Sequence, residues 1–231
     1  MAFPELREDQ LRAICERFGL PSGPFGRLPS TGVINAIYTV GEGLVLRVPK
    51  NVGVGLRDTY TESVAVPAAV AAGVRTPHLV AFDEACDIVE MPYGVYDRVH
   101  AADGEPATDE GWRELGRDLA RLHEGVTPAS CPDPLNRLDT PGRWTTADDV
   151  VASLPGLDEA DRAALEPVLR RLEAAVLSWE ATGRRRFLHN DVKDTNLLTL
   201  DGGYTAIIDW GDAGWGDPTI DLRTLPPDRL P

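Results

Sequence analysis

The sequence predicts an α+β chain in two lobes, a small β-rich lobe followed by a larger, mainly helical one. Three observations predict it. Short β-like runs separated by turn residues precede Pro92, helical periodicity dominates after it, and one β-hairpin pattern lies inside the helical half. A chain of 231 residues has room for two such lobes, each with an apolar core.

Taken in order, residues 5–18 place Leu6, Leu11, Ile14 and Phe18 near helical spacing and stop at Gly19. A Gly/Pro-rich loop is expected over 19–29. Two strands are expected over 33–40 and 44–48, joined at Gly41-Glu42-Gly43. A helix is expected over 58–72, kinked or broken at Pro67. Strands are expected over 78–82 and 87–91, and Pro92-Tyr93-Gly94 punctuates the chain, dividing a lobe of residues 1–92 from one of 93–231. Beyond it, Trp112, Leu115, Leu119 and Leu122 share one helical face, and 158–182 carries a second apolar stripe that Pro167 could divide. The runs 196–200 and 204–208 flank Asp201-Gly202-Gly203 as a hairpin.

Composition narrows the partners. The formal net charge of −14 argues against nucleic acid and anionic membranes, whose phosphates need Lys and Arg to neutralise them. It suits a cationic ligand, although solubility alone accounts for it more simply. Cys15, Cys86 and Cys131 are odd in number and far apart, so no disulfide framework or CxxC metal site follows. The four histidines show no ligand spacing. The N-terminus lacks the basic and apolar regions of a signal peptide, and the nearly apolar run 64–74 is too short to span a bilayer. A cytoplasmic protein is expected.

The chemistry concentrates in residues 187–217. His189-x-Asp191 is followed by Asn196, five residues after Asp191, and then by Asp209-Trp210-Gly211 directly after the apolar run Ala206-Ile207-Ile208. Phosphoryl transfer needs a carboxylate near the acceptor hydroxyl and oxygen ligands that hold Mg²⁺ on the nucleotide. Asp191 can accept the hydroxyl proton; Asn196 and Asp209 offer one neutral and one charged oxygen, a set suited to Mg²⁺. Each fragment alone is a weak signal. Their order and spacing together match a catalytic loop followed by a metal-binding aspartate.

These residues resemble the core of the aminoglycoside phosphotransferase family, which has a protein-kinase-like fold. HNDVKDTNLL is similar to the family's catalytic loop, and IIDWGDAGWGDPTIDL to its metal-binding strand and the helix start beyond it, with Trp210 where an aromatic such as Phe is usual. The resemblance spans about residues 30–222. It implies Asp191 as catalytic base, Asn196 and Asp209 as metal ligands, and Asp221 and His189 as structural braces. Lys193 matches a position where some relatives place a lysine on the γ-phosphate; it reads equally as a solvated loop lysine.

The first half agrees. Leu44-Val45-Leu46-Arg47-Val48 resembles the strand carrying the nucleotide-binding lysine of kinases, with Val45 and Arg47 on one face. Arg47 stands in for the lysine, as in some antibiotic kinases, and Glu62 matches the acid that pairs with it. Ser30, Thr31 and Gly32 would cover the phosphates with backbone N–H groups. Glu90 and Met91 look like the hinge that meets adenine. The resemblance therefore implies an ATP- and Mg²⁺-dependent phosphotransferase, with GTP as the alternative nucleotide, acting on a hydroxyl of a cationic small molecule such as an aminoglycoside antibiotic. Two alternatives stand: a housekeeping kinase for an amino alcohol or sugar, and a truncated nucleotide-binding pseudokinase, against which the intact Asp191, Asn196 and Asp209 speak. Only nine residues follow Leu222, where family members continue with helices that wall the acceptor pocket. A C-terminally shortened member with an exposed apolar face, prone to self-association, is the expectation.

Overall fold

A run of alternating residues, Asn35 to Val40, buries every second side chain, and the strand after it does the same with Leu46 and Val48. This pair seeds the N-terminal sheet. The structure, a computed structural model, describes residues 5–28, 34–49, 53–132, 147–154, 156, 158–180 and 185–226. Its elements in chain order are α1 (Glu8–Phe18), β1 (Phe25–Arg27), β2 (Asn35–Val40), β3 (Leu44–Pro49), α2 (Gly53–Ala71), β4 (Leu79–Asp83), β5 (Tyr93–Asp97), β6 (Ala102–Asp103), α3 (Asp109–Gly125), α4 (Ala147–Ser153), α5 (Glu159–Glu180), β7 (Arg186–Leu188), β8 (Leu197–Leu200), β9 (Gly203–Ile207) and β10 (Gly214–Gly216).

The chain divides into two units, Met1–Arg137 with Arg186–Pro231, and Leu138–Arg185. The first holds all three sheets: a five-stranded antiparallel sheet in the order β1-β2-β3-β5-β4, a three-stranded one, β6-β8-β9, and the pair β10-β7. Two apolar cores sit within it. Leu11 and Ile14 of α1 pack with Leu46, Val48 and Val95 on the five-stranded sheet. Leu115, Leu119 and Leu122 of α3 pack with Phe187, Ile207 and Trp210. Burying each such side chain stabilises by about 1.5–3 kcal/mol. The second unit holds α4 and α5, with Arg170 bonded to Glu166 and Asp148. Val168 and Leu172 of its apolar stripe are exposed.

Four expectations need correction. No strand forms over 87–91; the sheet is completed instead by β5, paired to both β3 and β4. The reason lies in α1: Gln10 Nε2 donates to the Ile88 carbonyl at 2.8 Å, Arg17 holds the Asp87 carboxylate, and Val89 and Met91 are buried against the α1 core. The backbone of this stretch is thus tied to a helix rather than to a ladder. Second, α2 starts at Gly53 and runs unbroken through Pro67. An interior proline costs about 3 kcal/mol. Ala65, Val66, Ala68 and Ala69 are all buried around it, and that packing holds the helix together. Likewise α5 runs through Pro167. Third, the loop over 19–29 contains β1, and the short strands β6, β7 and β10 were not legible as periodic runs. Fourth, 218–222 is a 3₁₀ turn, capped by the Asp217 side chain, which accepts from the Thr219 N–H at 2.9 Å.

Candidate active site

The candidate catalytic loop leaves β7 at Leu188 and turns through Asn190, whose φ of 68° lies in the left-handed region. Such a conformation costs a non-glycine residue about 1 kcal/mol or more, so something must hold it. Asp221 does. Fully buried, it accepts backbone N–H bonds from His189 at 3.1 Å and Asn190 at 2.7 Å, and its Oδ2 lies 2.9 Å from His123 Nε2. The Asn190 amide donates to the Asp212 carbonyl, and Arg223 donates to the Asn190 carbonyl. His189 is fully buried too. Its Nδ1 accepts the Asp191 N–H at 3.3 Å, so Nε2 carries the proton and donates to the Ile208 carbonyl at 2.9 Å. Burial lowers its pKa and keeps the ring neutral. Its edge meets Trp210, centroid to centroid 4.6 Å.

Asp191 Oδ2 accepts from Lys193 Nζ at 2.7 Å and from Asn196 Nδ2 at 2.9 Å. The same Asn196 nitrogen donates to the Asp191 carbonyl at 2.8 Å. With its nitrogen committed to Asp191, Asn196 has Oδ1 left as an acceptor, 3.5 Å from the Thr195 hydroxyl. The bond to Asp191 raises the Lys193 pKa, so Lys193 stays charged.

Asp209 follows β9 with φ 69°, again left-handed. The Ile208 N–H bonds the Asn196 carbonyl at 2.9 Å, which fixes the two candidate metal ligands relative to each other. Trp210 donates its indole N–H to Thr76 at 3.0 Å. Gly211 is needed because α2 passes so close: a Cβ there would lie 2.6 Å from the Asp58 Cβ. Across from Asp209, Arg47 Nη2 donates to Asp209 Oδ1 at 2.9 Å and Nη1 to Glu62 Oε1 at 2.8 Å. Glu62, buried on α2, takes a second donor, the Tyr96 hydroxyl, on Oε2 at 2.7 Å. Burial pushes the Glu62 carboxyl upward even against the Arg47 charge. Burial pushes Asp209 upward as well, but the charge and hydrogen bond of Arg47 outweigh it and hold Asp209 below its usual value. Burial works against the charge on Arg47, and the two carboxylates overcome it, so its pKa is raised.

These groups meet at a cavity of about 1150 Å³. Ile37, Val45 and Arg47 line one side, Asn196, Ile208 and Asp209 the other, and the segment from Asp97 to Ala101 runs along its edge. The sequence pattern of the phosphotransferase enzyme family matches residues 26–225. The chain belongs to the phosphotransferase enzyme family.

Solved structures show the same fold for this phosphotransferase. The GDP and kanamycin complex of APH(2")-IIia matches with a TM-score of 0.62 at 20% identity, over 95% of this chain and 77% of that one. The ADP-bound aminoglycoside phosphotransferase APH(2'')-Ib matches with a TM-score of 0.64 at 15% identity, over 94% and 74%. A choline/ethanolamine kinase family protein from Mesorhizobium loti matches with a TM-score of 0.60 at 24% identity, over 93% and 67%. No curated protein matches the chain. The phosphotransferase thus has the kinase-like α+β fold of these enzymes, and it is a small-molecule kinase that transfers phosphate to a hydroxyl group.

Of the residues singled out from the sequence, the phosphotransferase brings Val45, Arg47, Lys193, Asn196 and Asp209 to the cavity wall. Asp191 joins them through Lys193 and Asn196, and Glu62 through Arg47. Ser30, Thr31 and Gly32 lie outside the described residues. Glu90 and Met91 are a correction. Glu90 is exposed, Met91 is buried in the α1 core, and neither lines the cavity. The strand that leads to the cavity is β5, which ends at Asp97, and Asp97, Arg98 and Val99 are among the lining residues. Tyr96 was also missed. Its signal was the alternation Tyr93, Val95 against Gly94, Tyr96, which the turn-like Pro92-Tyr93-Gly94 obscured.

Proposed function

We propose that this phosphotransferase uses ATP, or GTP, with Mg²⁺ to phosphorylate a hydroxyl of a small cationic compound of the aminoglycoside class, and that it works in the cytoplasm. One observation supports the reading: Arg47, Asn196 and Asp209 line one cavity, with Asp191 hydrogen-bonded to Asn196 and Glu62 to Arg47 behind them. The donor set fits both. Arg47 Nε is buried without a hydrogen-bond partner, which leaves the guanidinium spare donor capacity beside its two carboxylates. Asn196 Oδ1 and Asp209 are hard oxygen donors of the kind Mg²⁺ takes.

Each residue then has a task. Arg47, kept charged and aimed by Glu62, holds phosphate oxygens. Asn196 and Asp209 would hold the metal, which when bound would supply positive charge against the triphosphate. Asp191, oriented by Lys193 and Asn196 on Oδ2, keeps Oδ1 for the acceptor hydroxyl. It takes that proton as the acceptor oxygen bonds the γ-phosphorus and the bridge to the nucleoside diphosphate breaks. Lys193, 2.7 Å from Asp191, is placed to share the γ-phosphate charge during the transfer. Of the two lobes proposed, residues 1–92 and 93–231, the first draws on β5 of the second to complete its sheet, and both would contribute to holding the nucleotide.

The acceptor class draws support from the net charge of −14 and from neighbours solved with kanamycin and with streptomycin. The choline/ethanolamine kinase family neighbour favours a second reading, an amino alcohol. Both are cations. No helix among the described residues is long and apolar enough to cross a membrane. The test is nucleoside-diphosphate release by the purified chain with Mg·ATP and Mg·GTP, against kanamycin, streptomycin, choline, ethanolamine and neutral sugars. Turnover with an aminoglycoside that Asp191→Asn abolishes is expected. Turnover confined to choline or ethanolamine would shift the reading to an amino alcohol kinase, and nucleotide binding with no transfer to any acceptor would overturn it.

A further inference from the structure

The phenol of Tyr96 lies in a place built for it. Tyr96 is 5% exposed, and its ring lies across Gly94, two residues earlier on the same face of β5. A Cβ on Gly94 would lie 2.6 Å from the Tyr96 Cε2, 2.8 Å from its hydroxyl oxygen and 2.9 Å from Cζ. Directly across the ladder, Gly94 pairs with Arg47 and Tyr96 with Val45. All four positions therefore share the cavity face of the sheet. The missing side chain at position 94 leaves room for two long ones, the guanidinium and the phenol, which lie 5.7 Å apart from Cζ to ring centroid.

The hydroxyl so placed donates to Glu62 Oε2 at 2.7 Å, while Arg47 holds Oε1 at 2.8 Å. The buried carboxylate is thus gripped at both oxygens by two strands of one sheet. Resting on the reading of Arg47 as the phosphate-facing cation, we propose that Tyr96, seated over Gly94, is a positioning residue that orients Glu62, and through it Arg47, for nucleotide binding. Without the hydroxyl, Oε2 is a buried acceptor with no partner, and the carboxylate rotates or takes a proton. Either event frees Arg47 to lie fully on Asp209, the other carboxylate within its reach. The groups that face Glu62 are Arg47 from β3, Tyr96 from β5, Asp209 at the end of β9 and Asp58 one turn earlier on α2. Only Arg47 and Tyr96 favour its ionised form, so loss of the phenol donor raises the pH at which it protonates.

Two variants test this by different routes. Tyr96→Phe removes the hydroxyl and keeps the ring. Gly94→Ala keeps the hydroxyl and pushes the ring away from Glu62, because the obstructing atoms are the far end of a side chain rather than backbone. Calorimetric titration with Mg²⁺ and a non-hydrolysable ATP or GTP analogue should show each variant binding roughly tenfold more weakly than wild type. With a responsive acceptor, kcat at saturating nucleotide should fall by less than about threefold. The acid limb of the affinity–pH profile should move to higher pH. Gly94→Ala added to Tyr96→Phe should cost little more, since the bond it disrupts is already gone. Wild-type affinity and an unshifted pH profile in both variants would overturn the proposal. So would a Tyr96→Phe that loses its folded circular dichroism while Gly94→Ala binds normally, because that is a packing role alone. A wild-type chain that binds neither nucleotide removes the reading of Arg47 itself, a different result from a wild type that binds and variants that bind equally well.

Discussion

Arg47 Nη2 and Asp209 Oδ1 are 2.9 Å apart, a hydrogen-bonded ion pair between residues 162 positions apart in sequence. It joins the proposed phosphate-binding cation to a proposed metal ligand, so each group occupies part of the other's bonding capacity until nucleotide and metal arrive together. Arg47→Ala should therefore have two opposite effects. Affinity for the Mg·nucleotide should fall by about tenfold or more, the loss of a charge-assisted contact. Affinity for a divalent ion alone should rise, because Asp209 keeps its negative charge and loses its competitor. Electron paramagnetic resonance of Mn²⁺ binding, with and without nucleotide, separates the two. Lys50→Ala, by contrast, should be mild in both: alternation in the sequence gives Lys50, the other basic residue of this stretch, the phase of Leu46 and Val48 rather than that of Arg47. Weaker Mn²⁺ binding in nucleotide-free Arg47→Ala would contradict the competition.

Asp191 is held through one oxygen by Lys193 and Asn196. Asparagine at this position preserves the shape and removes the proton acceptor. Asp191→Asn should leave nucleotide affinity within a few-fold of wild type and lower turnover by roughly 10²-fold or more. Asp209→Ala should instead weaken Mg·nucleotide binding itself. Equal loss of binding in both variants, measured by titration, would erase the distinction between base and ligand.

Gly211 meets α2 at Asp58, and α2 carries Glu62. Gly211→Ala places a Cβ 2.6 Å from the Asp58 Cβ, close to the helix backbone where neither side can swing aside. Overpacking of this kind costs about 1–3 kcal/mol. Urea denaturation should show that loss, and nucleotide binding should weaken with it because α2 is displaced from Arg47. Unchanged stability in Gly211→Ala would mean that α2 and the turn after Asp209 are free to separate.

Asp87 contributes to the pH dependence of stability in the first unit. Arg17 bonds both Asp87 oxygens and also Asp83. Its hydrogen bond draws the Asp87 pKa down to about 2, against an unfolded value of about 3.9. A carboxylate depressed on folding adds stability that is complete above its unfolded pKa and is lost as pH falls through its folded one. The difference in urea midpoint between wild type and Asp87→Asn should be constant above about pH 5 and vanish toward pH 2. A difference that persists undiminished at pH 2 would exclude the ion pair as its source.

Much of this protein was legible in its sequence because the information is local. His189, Asp191, Asn196 and Asp209 lie within one short stretch, and hydrogen bonds inside that stretch, from Asn196 to Asp191 and from Ile208 to Asn196, set their geometry. Strands β2 and β3 announced themselves by alternation, and that alternation placed Arg47 on the face of Val45. Helix α3 was equally plain, since its buried leucines recur at helical spacing. What the tertiary structure decided depends on partners far away in the chain. Whether 87–91 or 93–97 completes the sheet was settled by Gln10 and Arg17 on α1, which hold the first segment away from any ladder. That choice moved the cavity edge from Glu90 and Met91 to the segment after Asp97. The survival of α2 through Pro67 was settled by burial, which propensity does not register. Gly94 carried the most misleading local signal: beside Pro92 it reads as a turn, and only the fold reveals it as the space that a buried tyrosine fills on its way to Glu62. Local preference is a matter of a kilocalorie or so per residue, and packing, where it is available, outweighs it.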